Sequence, residues 1–252
     1  MGINLFVHSV RLVLSDWRNA MKITGLLYLI YAVPALLLGL LFPVPQTTDP
    51  SAALGAMASF APVGIITTLL MAIVYVWLAV TWHRYILLEE QPSGQLPAFR
   101  QSEIMSYAGN AILLWLITLG IFIGVGLVTS PLAFLGVIGA ILISIIIISI
   151  ALIVGYRLGL VLPSRAIGQR LTFRESWAAT TGRNATILVL AIVSALAAVA
   201  VDIPAMVLAF LPGIGGLLAM LWRLASGWVT ILVGVSILTT LYGVFIEKRS
   251  IG

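Results

Sequence analysis

The chain alternates between long apolar runs and short polar gaps, and the runs are too long for strands. Six of them are long enough to carry a helix across ~30 Å of hydrocarbon, which takes ~20 residues. They cover approximately residues 23–42, 63–88, 111–128, 132–162, 185–210 and 225–246. The pattern predicts an all-α fold, a polytopic transmembrane helix bundle of six spans forming a single integral membrane domain over residues 1–252. The fourth run exceeds one perpendicular crossing, so it is expected to tilt or to extend past the bilayer as helix. No turn residue in 141–153 supports a re-entry there. The loop 43–62 holds prolines at 43, 45, 50 and 62, which predict turn-like chain, with a short interfacial helix over 51–60.

Basic residues give the bundle an orientation. Arg11, Arg18 and Lys22 precede the first run; Arg84 and Arg100 flank the gap after the second. Arg157, Arg165, Arg170, Arg174 and Arg183 cluster after the fourth, and Lys248 and Arg249 follow the sixth. In a six-span arrangement these twelve of the 13 basic residues fall on one side. The positive-inside rule makes that side cytoplasmic and places both chain ends there. Five or seven spans would split the clusters. Asp49, the turn at Ser130-Pro131 and Arg223 fall on the other side.

The two arginine-rich gaps share a spacing. Phe99-Arg100-Gln101-Ser102 leads to Asn110-Ala111, and Phe173-Arg174-Glu175-Ser176 leads to Asn184-Ala185. Trp82-His83-Arg84 and Tyr156-Arg157 precede them, and Arg18-Asn19-Ala20 repeats as Arg183-Asn184-Ala185. This suggests a threefold internal two-span repeat with units of about 1–92, 93–165 and 166–252. Each unit opens on a cytoplasmic interfacial amphipathic helix. In the first, Phe6, Val10, Val13, Leu14 and Trp17 share one face, and Asn4, His8, Arg11, Ser15 and Arg18 another. Asn19, Asn110 and Asn184 are expected to act as helix-start caps.

Composition narrows the chemistry. Hydrophobic residues make up 62% of the chain and charged residues 8%, against roughly 25% charged in soluble domains. There is no cysteine, which excludes disulfides, zinc-thiolate sites and thiol nucleophiles. The formal charge of +5 is read as orientation and anionic-lipid contact, with no nucleic-acid partner. The first run is expected to be a retained span and no removable signal, and Met1–Phe6 lacks the Ser or Thr of a myristoylation signal.

No catalytic constellation emerges. Glu89-Glu90 diverge by ~100° on a helix and fit charge balance with nearby arginines better than acid–base work. His83 has no metal-ligand partner at i+3 or i+4 and reads as interfacial. Asp202 and Arg223 are expected to pair across the fifth and sixth spans, because an isolated charge at that depth is costly. Gly120/Gly124 and Gly155/Gly159 have the spacing that lets helices approach. Trp17, Trp82, Trp177, Trp222 and Trp228 read as belt residues, and Trp77 and Trp115 as packing residues. Pro204 is expected to kink or shorten the fifth span.

Trp82-His83-Arg84-Tyr85 with Pro92, and Arg157 to Pro163 with Arg165, Gly168, Phe173, Ser176 and Trp177, resemble uncharacterised six-span bacterial inner-membrane proteins. Those are similar to the membrane domain attached to some glycerophosphodiester phosphodiesterases. The resemblance implies a bacterial inner-membrane location. The phosphodiesterase catalytic barrel is absent, so no activity or metal ligand is carried over.

The expected function is non-enzymatic and needs no cofactor: an accessory, assembly or organising factor of the inner membrane. Arg84, Arg100, Arg157, Arg165, Arg170, Arg174 and Arg183 would contact anionic headgroups, a membrane-protein partner or a second copy of the chain. The alternative is a small transporter or channel with a pathway between repeats, lined by Thr67, Thr68, Thr239 or Thr240.

Overall fold

A computed structural model describes residues 1–41, 50–91, 94 and 96–250. Asp49, Pro43, Pro45 and Pro92 lie outside them. The described residues form helices and connecting turns without a strand. The helices are α1 Gly2–Leu14, α2 Trp17–Leu41, α3 Pro50–Leu88, α4 Gln101–Thr129, α5 Val137–Leu158, α6 Val161–Ala166, α7 Phe173–Ala179, α8 Asn184–Ala209 and α9 Gly215–Phe245. Among the described residues, five stretches are long and apolar enough to cross a membrane: Ala61–Leu88, Gln101–Leu135, Ile146–Ala166, Asn184–Ala209 and Gly215–Phe245. They mark a multi-pass membrane protein.

Several boundaries differ from the sequence expectation. Residues 51–60 form no separate helix, because α3 starts at Pro50 and runs unbroken through Pro62. Proline is well placed at the first helical position, where no N–H is needed. The fourth run is broken at both ends. A 3-10 turn, Ser130–Leu135, precedes α5, and Gly136 between them adopts φ 62°, a left-handed value that glycine tolerates. Beyond Leu158 the chain turns at Gly159 into the short α6. Neither Pro204 nor Pro34 ends its helix. Gly213, at φ 74°, makes the turn from α8 to α9 after Pro212.

The centre of the bundle is α9, which packs against α1, α2, α3, α6 and α8. Its buried face runs from Trp228 through Leu232, Val235, Ser236 and Thr239 to Tyr242. Polar contacts pin its neighbours in register. Tyr28 Oη donates to Leu224 O at 2.6 Å, Trp228 Nε1 to Thr24 Oγ1 at 2.9 Å, and Trp82 Nε1 to Ser236 Oγ at 2.7 Å. Such bonds hold helices together where lipid and protein are equally apolar. Outward, α3 presents Ile65, Ile66, Leu69 and Leu70, and α4 presents Trp115, Phe122, Leu127 and Val128. An exposed apolar belt of this size suits hydrocarbon and not water.

Helix α1 does not lie free. Gly2, Leu5, Ser9 and Val13 are buried against α8 and α9. A Cβ at Gly2 would come within 2.6 Å of Thr186 O, so only glycine permits this approach. The expected apolar face is thereby divided: Val13 faces protein, while Leu14 and Trp17, with Ile3 and Val7, stay exposed. Asn4, Arg11, Ser15 and Arg18 form a third, exposed polar face, with His8 half-buried beside it.

The two segments expected to be repeats follow different paths. Residues 101–110 lie inside the continuous α4, whereas 173–184 form α7, a turn and the start of α8. The turn uses Gly182 at φ 78°; its counterpart position, Ala108, lies within helix.

Candidate functional site

Contacts between helix ends bring Arg84, Arg249 and the residues around them together at one end of the bundle. Arg249 Nη2 donates to Leu87 O at 2.9 Å, Arg84 Nη1 to Ala166 O at 2.9 Å, Tyr242 Oη to Gln169 Oε1 at 2.6 Å, and Tyr85 Oη to Asp16 Oδ2 at 2.7 Å. These tie α9, α3, α6 and α2 together at that end. Asp16 is held below the usual carboxylate range by the Tyr85 hydrogen bond and then by Asn19.

Four of the seven candidate contact arginines are engaged within the chain. Glu89, in the left-handed region at φ 54°, turns the chain back after α3 so that Glu90 lies beneath Arg84. Glu90 Oε2 is 2.6 Å from Arg84 Nη2, and Glu90 Oε1 is 2.5 Å from Arg100 Nη2. Burial resists ionisation of Glu90, but the hydrogen bonds from Arg100 and Arg84 outweigh it and hold the carboxyl below its ordinary value. These side chains, with Val80, Thr81, Gln91, Pro97 and Ala98, line a cavity of about 140 Å³. Arg165 donates from Nη2 to Leu171 O at 3.2 Å, which closes the loop between α6 and α7. Arg157 is buried beneath Trp177, its guanidinium 4.5 Å from the ring centroid. Its Nη2 donates to Asn184 Oδ1, and its backbone oxygen accepts from Ser176 Oγ at 2.6 Å.

Arg170, Arg174 and Arg183 are different. All three are exposed, and none of their guanidinium groups has a hydrogen-bond or ion-pair partner among the described residues. The segment that carries them is itself firmly built. Thr172 and Glu175 form a capping box at the start of α7, with Thr172 N donating to Glu175 Oε2 at 2.7 Å and Glu175 N to Thr172 Oγ1 at 3.2 Å. Thr-x-x-Glu was legible in the sequence and is the signal that marks this helix start.

The three asparagines expected as caps do other work. Asn19 is the third residue of α2 and donates to Asp16 Oδ1 at 2.9 Å. Asn110 sits well inside α4, its Nδ2 donating to Ser106 O at 2.8 Å, because the helix begins nine residues before Asn110 and ahead of the apolar run. Asn184 is the first residue of α8, one position past the cap residue Arg183, and its side chain accepts from Arg157. Asn184 thus joins α8 to Arg157 of α5, whereas Asn19 and Asn110 bond locally, three and four residues back along the chain.

His83 also departs from expectation: it is fully buried. Its Nδ1 lies 2.8 Å from Thr239 Oγ1 and its Nε2 3.4 Å from Tyr107 Oη. Thr240 Oγ1 lies 2.9 Å from Ser9 Oγ. Thr239 and Thr240 are thus bonded into helix contacts, while Thr68 faces outward. Trp82 and Trp228 are core residues, not belt residues, whereas Trp17, Trp177 and Trp222 are exposed and Trp115 more so. Among the described residues nothing lies within 4 Å of where a Cβ would sit on Gly120 or Gly124, while Gly159 closes on Leu238 of α9. At the opposite end, Arg223 Nε lies 3.4 Å from Asp202 Oδ1, linking α9 to α8. No group of three or more His, Asp or Glu side chains is placed to hold a metal ion among the described residues.

In comparison with known proteins, no protein-family model, no curated protein and no solved structure matches the chain.

Proposed function

We propose that this chain is a six-span inner-membrane protein that performs no catalysis and acts as an accessory or organising factor. It would engage anionic headgroups, or an acidic face of another membrane protein, through its arginine-rich end. The sixth crossing in this reading is α2, a 25-residue helix, which continues the run predicted at 23–42. With six crossings, the basic end is cytoplasmic under the positive-inside rule. The bacterial inner membrane comes from the sequence resemblance. The outward apolar side chains of α1, with the polar face beside them, suit a helix lying at the headgroup boundary.

One observation carries the reading. Arg170, Arg174 and Arg183 are solvent-facing cations on a capped, ordered segment, and no carboxylate of the described chain neutralises them. Each such cation near an anionic surface contributes about 1 kcal/mol of attraction. A transport pathway finds less support, because the interior along α9 is occupied by Trp82, His83, Leu232, Leu241 and Tyr242.

The test is the R170Q/R174Q/R183Q variant in bilayer nanodiscs of mixed phosphatidylglycerol and phosphatidylcholine. Loss of phosphatidylglycerol enrichment around the variant, with folding retained, supports the proposal. Unchanged enrichment and an unchanged set of co-purifying membrane proteins overturn it. Reporter fusions at both ends test the even span count; ends in different compartments would exclude it.

A further inference from the structure

Arg157 is the only arginine buried among the described residues, at 7% exposure. No Asp or Glu oxygen of those residues lies within 4.0 Å of its guanidinium. Its Nε is buried without a hydrogen-bond partner. Breaking a buried ion pair is costly because one charge is left uncompensated, and Arg157 stands in that uncompensated state. The Trp177 ring offsets part of this through its negative face, 4.5 Å away, but a ring carries no net charge.

The guanidinium is aimed at the start of α8. Its Nη2 meets Asn184, the first residue of that 26-residue helix. No side chain of the described residues caps the helix there, and no acidic residue occupies its first turn. The N–H groups of Asn184, Ala185 and Thr186 have no acceptor among the described residues; the first bonded amide is that of Ile187. Since Asn184 turns Oδ1 toward Arg157, its Nδ2 is left as a further donor. The exposed Arg183, whose guanidinium has no partner among the described residues, adjoins the same mouth. A helix N-terminus attracts anions through these amides and its dipole, and a guanidinium fork matches phosphate oxygens.

We propose that Arg157, Asn184 and the first amides of α8 form a discrete seat for one phosphate group. The group is either the phosphodiester of a lipid headgroup or a soluble phosphate. The proposal rests on the reading that this end meets the headgroup layer, and it goes further by naming one stoichiometric site within that layer.

The informative variant is Asn184→Asp, which places a carboxylate beside Arg157 from within the chain. It keeps the fold, because it supplies the missing counter-charge, and it fills the seat. Wild type and variant are purified in a maltoside detergent. One arm titrates sodium phosphate against sodium chloride at equal ionic strength and follows the thermal midpoint. The other adds phosphatidylglycerol or a phosphate-free galactolipid and counts retained lipids by native mass spectrometry. Wild type is expected to respond to phosphate, to retain one phosphatidylglycerol, or both; phosphate alone identifies a soluble ligand, and the lipid alone a headgroup. N184D is expected to weaken that response at least about tenfold, the effect of losing one charge-assisted hydrogen bond, with its own thermal midpoint equal to wild type or higher. Arg157→Lys, which keeps the charge and loses the fork, is expected to weaken binding similarly.

No response of the wild type to either probe, or N184D binding as tightly as wild type, overturns the seat. If N184D is silent while R170Q/R174Q/R183Q reduces lipid enrichment, the seat fails and the surface reading stands. If N184D weakens binding while the triple variant changes nothing, the seat stands and the wider arginine surface fails.

Discussion

His83 Nδ1 sits 2.8 Å from Thr239 Oγ1, and both side chains are sealed inside the bundle. The threonine hydroxyl also donates to Val235 O at 2.9 Å. A hydroxyl has one proton, so Thr239 must accept from the imidazole. That assigns the proton of neutral His83 to Nδ1 and leaves Nε2 as the acceptor facing Tyr107 Oη. Thr239→Val keeps the shape and removes the acceptor, stranding a buried N–H. The expected loss is ~1–3 kcal/mol of stability, read by reversible unfolding in mixed micelles. Adding His83→Phe, which removes the stranded donor, is expected to recover much of it. A neutral single Thr239→Val would show that the proton lies elsewhere.

Glu90 makes the arginine-rich end acid-sensitive. Its folded-state pKa is lowered, so its stabilising effect is complete above the ordinary glutamate value of ~4.3 and fades as pH falls through the lower folded value. Acidification through that window is expected to depress the thermal midpoint. Glu90→Gln is expected to cost about 1 kcal/mol at neutral pH, a modest value because the carboxylate is 31% exposed and water screens it. The variant's acid limb is expected to be shallower. An identical pH profile in wild type and variant would remove Glu90 from this role.

The charge pattern carried most of what the sequence revealed. Twelve basic residues predicted one common end, and of these Arg84 and Arg249 bond directly to other helix ends. The inward faces were far less visible. In a bilayer both lipid-facing and protein-facing positions are apolar, so hydrophobicity does not separate them. Trp82 and Trp228 looked like belt residues by position alone, yet each bonds a hydroxyl on a neighbouring helix. The packed stripe of α1 was hidden because it is made of Gly2, Leu5, Ser9 and Val13, two of which carry little hydrophobic signal. The asparagine caps failed for a similar reason: apolar runs mark where hydrocarbon begins, whereas α4 starts nine residues before Asn110.

Docking of α1 depends on Gly2. A side chain there would meet the backbone oxygen of Thr186, which cannot swing away as a flexible side chain would. Gly2→Leu is expected to lift α1 from α8 and α9 and to break the Ser9–Thr240 contact. The chain has no cysteine, so a single probe reports cleanly. With Ser9→Cys in both backgrounds, maleimide labelling is expected to be slow with Gly2 present and at least about tenfold faster with Gly2→Leu, which corresponds to a shift of ~1.4 kcal/mol toward the open form. Equal rates would mean that α1 stays docked without the glycine.

At the other end, Asp202 and Arg223 face each other at 3.4 Å with more than half of each side chain exposed. Beside them Trp222 Nε1 donates to Val201 O at 2.8 Å, so two adjacent contacts join α8 to α9 there. Exposed ion pairs contribute ~0.2–1 kcal/mol, and Asp202→Asn or Arg223→Gln alone is expected to cost no more than that. The charge-reversed double variant, Asp202→Arg with Arg223→Asp, tests whether pairing is what the site requires. It is expected to unfold near the wild-type midpoint, while either reversal alone sets two like charges together and unfolds earlier. Single neutral changes that leave folding intact, combined with a reversed pair that fails, would show that the local environment selects each residue and that their mutual attraction does not.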